Sequence, residues 1–392
     1  MDLRIGKQGT GWFVLRACVT CALVVLAMTA AFITGVIGTP DAAAQSLLPI
    51  YEKGTAAFEE EYSIGGDIDD TDNFFFHPSD LALDAEGNLY VLDYKGFCIK
   101  KFDPDGNYVA TFGRKGEGPG EMLAAYDMAM DPDGNLVIYD FQNSSRFSVF
   151  GPDGEFLRSF TLPEIGFRSL AGFDFAPDGS LIASIDFTDY SHPDGKTTTS
   201  IVQIDPVSKT ETAVDSAKVQ KWYAAQEGES MMMISAPFYP DLLWGIAPSG
   251  NIITANSDTY VIKIYSPSLE LIKEIRHDIE KPKVTDEDKE EYLEAFEEGD
   301  ARIMAKKRAR FPKHKPYFES LLLDGDGYLI FRTGETEGDR SVYDVFTPGG
   351  KFLNRVTMPH VRPSAIFVDG VVYNIERHED ETDPTVHRYR VK

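Results

Sequence analysis

The chain has 392 residues, a formal charge of −25 and 43% hydrophobic residues. That length allows a large core, and the acidic balance opposes any role on nucleic acid or on an anionic membrane surface. Of the three cysteines, Cys18 and Cys21 lie in the N-terminal leader, so Cys98 alone remains beyond it and no intrachain disulfide is expected.

The first 44 residues read as a leader. Arg4, Lys7 and Arg16 precede an uncharged apolar run from Ala17 to Thr39, and Ala42-Ala43-Ala44 precedes Gln45. Basic, apolar and small residues in that order describe a cleaved secretory signal; the run is also long enough for an uncleaved membrane anchor. Export to the periplasm or the exterior is expected, with any membrane contact confined to this segment. Residues 45–57 read as a linker.

From Phe58 onward one pattern recurs. An apolar strand, a tight Gly turn and a second apolar strand appear as LALDAEGNLYVLD (81–93), MAMDPDGNLVIYD (128–140) and FDFAPDGSLIASID (173–186). The pattern returns at WGIAPSGNIITANS (244–257), LLLDGDGYLIFR (321–332) and IFVDGVVYNIE (366–376). Asp-Gly and Ser-Gly between apolar runs signal hairpins, and a second strand-turn-strand follows most copies, as in FSVFGPDGEFLRSF (147–160). Each unit is a four-stranded meander, with strands called a to d. The sixth unit stops at its third strand, VHRYRVK (386–392), while an extra strand, FEEEYSIGG (58–66), stands before the first. The early strand completes the last unit. The fold class is therefore all-β: a six-bladed β-propeller over 58–392, closed by its own ends.

In such a ring the a→b and c→d turns share one face and the b→c and d→a connections share the other. Here the first set is short. The second is elaborated: the connection after blade 3 is read as Val214 to Asp241, and that after blade 4 as His277 to Glu319. Function is expected on the elaborated face.

The insertion at about 283–315 is expected to be helical, with Thr285 as N-cap, Asp288 three residues on, and a break at Gly299-Asp300. Thr285–Asp300 holds nine acids and one base, and Ala301–Lys315 holds seven Lys/Arg and no acid, so the halves are expected to pair. The blade 3 insertion carries Trp222 and Tyr223 among further apolar residues that must pack or bind. In GRKGEGPGE (113–121), Arg114, Lys115 and Glu121 surround four glycines; the stretch serves either as an anion nest or as a tight crossover.

Asp93, Asp140 and Asp186 end successive b strands and are read as caps of local amides. Asp80 and Asp127 open strands a; with Asp174 they are the candidate ligands of a cation such as Ca²⁺, which takes oxygen donors. Candidate contacts for a ligand are Arg114, Lys115, Glu121, Trp222, Tyr223, Arg332 and Arg362. No GxSxG, CxxC or metal-type His cluster occurs, so no catalytic residues are assigned.

The stretch FGRKGEGPGEMLAAYDMAMDPDGNLVIYDFQNSSRFSVF (112–150) resembles an NHL-type repeat, with Asn143 and Arg146 at its N-x-x-R element. More broadly, 58–392 resembles exported bacterial six-bladed propellers of the NHL and TolB-like kind; Pro237-Phe238, Ser257-Asp258-Thr259-Tyr260 and Phe311-Pro312 share that look. The resemblance implies a propeller fold and export. Related propellers include lactonases with a Glu/Asn/Asp-bound metal and amidating lyases with metal-binding histidines; neither ligand set has a residue-by-residue counterpart here. The leading expectation is a monomeric, non-catalytic module that holds a protein, peptide or glycan on its long-loop face. The alternative is a metal-dependent hydrolase or lyase with its site at the channel mouth.

Overall fold

The computed structural model describes residues 46–162, 168–189, 196–227, 230–294, 309–377 and 383–392, with backbone only for 168 and 222–235. The expected leader and its cleavage site lie outside the described residues. So does the proposed Gly299-Asp300 break with the residues that follow it to 308. Among the described residues no helix is long and apolar enough to cross a membrane.

Six four-stranded antiparallel sheets make up the unit Ser46–Lys392. Blades 1 to 5 each run a-b-c-d in chain order. Blade 6 is assembled from Ile366–Val368, Val371–Glu376, Thr385–Val391 and, as its outer strand, Phe58–Gly65. Phe58 faces Val391 and Gly65 faces Thr385 in that last pairing, with a bulge between Glu60 and Tyr62. The ring thus closes between its two ends, as the offset repeats require.

The D-x-x-G-N turns show why the hairpins form. Asp84 Oδ1 accepts from Glu86 N (3.1 Å) and Asn88 N (2.8 Å), and Asn88 Nδ2 donates back to Asp84 Oδ2 at 2.8 Å. Gly87 takes φ +84°, which L side chains rarely adopt. Asp103–Asn107 and Asp131–Asn135 repeat the arrangement.

Burial follows position in the blade. The b strands Leu89–Asp93 and Leu136–Asp140 are buried throughout, whereas the outer strand Leu271–Arg276 is almost wholly exposed. The core is divided into clusters wedged between neighbouring blades. At the seam Ile64, Phe75, Leu89 and Phe102 meet Val371, Tyr373 and Val386. Cys98 is a buried, unpaired thiol in this packing, pushed up to about 11 by burial.

Two sequence expectations change, and the insertion after blade 4 begins as expected. The segment 45–57 carries a helix, Leu48–Lys53, docked on blade 5: Tyr51 is buried and its hydroxyl donates to Asp324 Oδ2 at 2.8 Å. Apolar burial of Leu47, Ile50 and Tyr51 outweighs the freedom a linker would keep. Blade 3 is taller than read, with strands c and d running Lys196–Asp205 and Thr210–Val219, followed by a hairpin of Trp222–Glu227 and Ser230–Ser235. The insertion after blade 4 forms one described helix, Asp286–Glu294. Thr285 caps it: Asp288 N donates to Thr285 Oγ1 at 3.1 Å, and Thr285 N donates to Asp288 Oδ2 at 2.7 Å. Lys315 pairs with Asp288, one contact between the acidic and basic halves.

Closure can be tested at Ile64, which is 4% exposed. Ile64→Ala is expected to lower unfolding stability by about 2–4 kcal/mol in urea titrations. Truncation before Thr385 should abolish the cooperative transition, because blade 6 would keep only two strands.

Candidate functional site

The a strands surround a central chamber of about 770 Å³. Its wall takes residues from every blade, including Asp80, Asp127, Gly172, Asp174, Lys221, Asp241, Trp244, Glu319 and Ser364.

Three carboxylates of blades 1 to 3 stand in that wall. Asp80 Oδ1 accepts from Leu81 N and its Oδ2 from Met128 N, both at 2.9 Å. Asp127 Oδ2 accepts from Phe173 N at 2.9 Å, and Asp174 Oδ1 from Phe175 N at 2.7 Å. Asp80 and Asp127 therefore reach from one blade to the inner-strand amide of the next, stapling blades 1, 2 and 3. They line the chamber yet are enclosed by protein, and that burial pushes Asp80 up to about 7 and Asp174 to about 6. Burial and then the charge of Asp80 raise Asp127 well above the usual carboxylate range, and the two carboxyls titrate as a pair. As a Ca²⁺ site this set does not fit. Both Asp80 oxygens are committed to amides, and among the described residues no group of three or more His, Cys, Asp or Glu side chains could hold a metal ion.

Toward the long-connection face the wall is charged. Lys221 Nζ lies 2.9 Å from Asp186 Oδ2 and 2.8 Å from Asp241 Oδ2, and Thr199 Oγ1 donates to Asp186 Oδ1 at 2.6 Å. Burial disfavours the ammonium, but Asp241 and Asp186 outweigh it and hold Lys221 above its ordinary value. Asp241 is raised as well, since its burial exceeds what Lys221 returns. Two carboxylates share one ammonium there. Across the mouth, Arg332 pairs with Glu319 at 2.8 Å and contacts His360, Nη1 to Nδ1, at 3.1 Å. Burial first, then Arg332 and Arg362, lower the His360 pKa.

Of the expected ligand contacts, Arg332 pairs with the wall residue Glu319, and Arg362 directly precedes the wall residues Pro363 and Ser364. Arg114, Lys115 and Glu121 do not join it. Arg114 pairs with Glu121 at 2.7 Å, Glu121 Oε2 accepts from Gly118 N at 2.8 Å, and Lys115 lies over the Phe97 ring at 4.9 Å. Arg146 satisfies the loop carbonyls of Glu117, Gly118 and Glu121, so the glycine-rich stretch is a self-contained crossover. The side chains of Trp222 and Tyr223 lie outside the description. Asp93 and Asp140 are caps, as read: Asp93 accepts from Phe76, His77 and Gly96, and Asp140 from Leu123, Ala124 and Asn143. Asp186, third of that series, instead takes Lys221. Sequence reasoning missed Lys221, Asp241, His77, His360 and Arg377. The only hint was that the connection after blade 3, which carries Lys221, is unusually long.

A family model described as a 6-bladed beta-propeller, DUF5128, matches residues 71–170. Peptidyl-glycine alpha-amidating monooxygenase A of Xenopus laevis is 30% identical over 118 residues, which are 28% of this chain and 12% of that protein. The chain thus spans about an eighth of that relative's length. Among solved structures, a DUF4221 family member from Bacteroides vulgatus superposes with TM-score 0.49 at 11% identity, covering 86% of this chain and 99% of that one. A gluconolactonase from Xanthomonas campestris gives TM-score 0.42 at 11% identity, covering 80% and 88%. At that identity neither solved structure speaks to function.

Asp174 sets a pH dependence. Its folded pKa, about 6 against an ordinary 3.8, means the folded state binds the proton more tightly. Its favourable contribution is full below about pH 4 and is lost as pH rises through 6. Asp174→Asn keeps the acceptor for Phe175 N and removes the buried charge. The variant is expected to gain stability over wild type progressively from pH 4 to 7, reaching roughly 1–3 kcal/mol at pH 8. Urea unfolding across that range checks it; a constant difference would refute the assignment.

Proposed function

We propose that the protein is a binding propeller whose ligand enters the central chamber from the long-connection face. The observation that carries this reading is the chamber itself: about 770 Å³, within the range of small-ligand sites, with Lys221, Asp186 and Asp241 on one flank of its mouth and Arg332 with Glu319 on another. Exposed aromatics at the same end of blades 1 to 3, Phe76, Phe141 and Phe187, add apolar contact area. The ligand is a small molecule, or the end of a peptide or glycan chain, that inserts into the mouth. The peripheral Arg114 and Lys115 play no part in this reading, because their loop is satisfied internally.

Gly172 offers the test. A Cβ built there meets only Asp127 Oδ2, at 3.7 Å, so a larger side chain projects into the chamber without striking packed atoms. Gly172→Phe should leave the unfolding midpoint nearly unchanged and abolish the binding of ligands found by ligand-observed NMR screening with the wild type. Hits that bind the plugged variant equally well would sink the proposal.

Although among the described residues they form no metal-holding group, Asp80, Asp127 and Asp174 line one chamber, and a second reading, a metal-dependent hydrolase or lyase at the same mouth, draws on them. The partial match to an amidating monooxygenase points the same way. With the Asp80 oxygens already committed, Ca²⁺ or Zn²⁺ at about millimolar concentration is expected to leave the melting temperature unchanged, since a ligand stabilises only by binding the folded state. A rise that Asp127→Asn removes would instead favour the enzyme.

A further inference from the structure

Six charged side chains stand in the chamber wall, and five of them are acids: Asp80, Asp127, Asp174, Asp241 and Glu319, against Lys221. Two of the acids are answered by cations. Lys221 lies between Asp241 and Asp186, and Arg332 pairs with Glu319. Asp80, Asp127 and Asp174 meet no cation among the described residues, and the hydrogen bonds they accept come from backbone amides and, for the first two, from each other.

Asp174 is the least engaged of the three. Its Oδ1 accepts from Phe175 N at 2.7 Å, and its Oδ2 accepts from no described residue. It lies two residues before Ala176, which opens the a→b turn of blade 3, so the long connections are at the other end of its strand. The side chain keeps partial exposure, and the space it meets is the chamber.

Blade 5 adds an independent sign of a guest. Four residues before Asp84, Asp131 and Asp324, the aspartates that open three of the a→b turns, stand Asp80, Asp127 and Ser320. In blades 1 and 2 that residue accepts from the inner strand of the next blade. Ser320 does not. It is 3% exposed and lines the chamber, and its Oγ has no hydrogen-bond partner. Buried polar groups are normally paired, so this hydroxyl is left for a ligand. The half-buried Trp244 belongs to the same wall, and an indole face attracts cations.

We propose that the chamber binds an organic monocation, a primary ammonium or guanidinium on an aromatic body, with Asp174 as its counter-ion, Ser320 Oγ as a further acceptor and Trp244 as its aromatic wall. The inference rests on the chamber reading above and gives the guest its charge. A metal ion needs oxygens gathered around one point, and among the described residues no such group exists. An organic cation does not need that convergence, because each of its N–H donors takes one acceptor. Burial pushes Asp174 up to about 6, and a bound cation would favour its charged form. Ionised Asp174 holds the cation and protonated Asp174 does not, so affinity rises as pH passes 6. Asp80 and Asp127 act on the same guest from neighbouring blades, and their ionisation adds to that rise.

The probes are benzylamine, benzyl alcohol and benzoate, titrated calorimetrically into the full chain at constant ionic strength. Benzylamine should bind one to one at pH 7.5, at least about ten-fold more tightly than benzyl alcohol, with benzoate weakest. Its affinity should rise about ten-fold between pH 5 and pH 8, a range in which the amine stays protonated. Asp174→Asn should remove both the preference and the pH dependence, and Ser320→Ala should weaken the amine selectively. Asp153→Asn, in the exposed c→d turn of blade 2, should change neither, which separates the site from attraction to the acidic surface. Should Asp174→Asn fail to fold, the wild-type pH profile and Ser320→Ala decide. Equal binding of amine and alcohol, a preference untouched by Asp174→Asn, tighter binding of benzoate, or no binding of any probe overturns the site. Gly172→Phe separates the two readings. Equal binding of amine and alcohol that the plug abolishes keeps the chamber and overturns the cation site, whereas an Asp174-dependent preference that survives the plug supports the cation site and counts against entry from the long-connection face.

Discussion

The pairing of Phe58–Gly65 with Thr385–Val391 is the constraint on which the rest depends. An all-β ring has no free edge only while that pairing holds. The pairing also brings the blade 1 segment Phe76–Pro78 against blade 6. Arg377 bonds to Pro78 O across this seam, and the cluster of Phe75, Leu81 and Leu89 with Val371 and Ile375 packs beneath it. The arginines at the mouth therefore stand on the joint that closes the molecule, where two chain segments about 300 residues apart meet.

Carboxylates make the second layer of organisation, and their positions separate structural from functional acids. Asp93 and Asp140 sit at the ends of b strands and gather amides from the start of strand a and from the b→c turn, each accepting three hydrogen bonds. A charge so well solvated by backbone dipoles is tolerated in the core. Asp80 and Asp127 bridge neighbouring blades with fewer donors, and burial raises the pKa of both. Asp186 lies one residue further along its strand, Ile185 taking the place of Asp93 and Asp140, and it meets an ammonium and a hydroxyl. That single step turns it to the other side of the strand, where Lys221 of the connection after blade 3 reaches it.

The architecture was legible in the sequence because its determinants are local. Asp84-Ala-Glu-Gly-Asn88 specifies a turn by its own side chains, and alternating apolar residues specify the strands around it. Even the closure could be read, since the count of strands left one over at the start and one short in the last unit. The docked helix Leu48–Lys53 could not be, because its stability comes from blade 5 rather than from six residues of helix propensity. The mouth was only partly legible: Arg332 and Arg362 could be placed on the correct face, but Arg377, His77 and His360 acquire meaning only from the seam. The glycine-rich 113–121 stretch misled for a related reason. Its charges look available in one dimension, but Arg114 and Glu121 fold back on each other.

The mouth has an electrostatic polarity that neither the net charge nor any single blade would suggest. Blades 3 and 4 present Asp186 and Asp241 around one lysine, so that flank is negative. Blade 5 presents Arg332 paired with Glu319, and blade 6 presents Arg362 and Arg377, which form no ion pair among the described residues. A ligand spanning the opening would therefore meet a positive wall at one end and a negative one at the other. Low-dielectric walls strengthen both interactions relative to water. In the binding reading proposed above, such a mouth would orient a dipolar guest by its charges while the Gly172 side of the chamber would limit its size. Orientation would come from residues on different blades, so any disturbance of the ring's closure would misalign the two walls before it emptied the chamber.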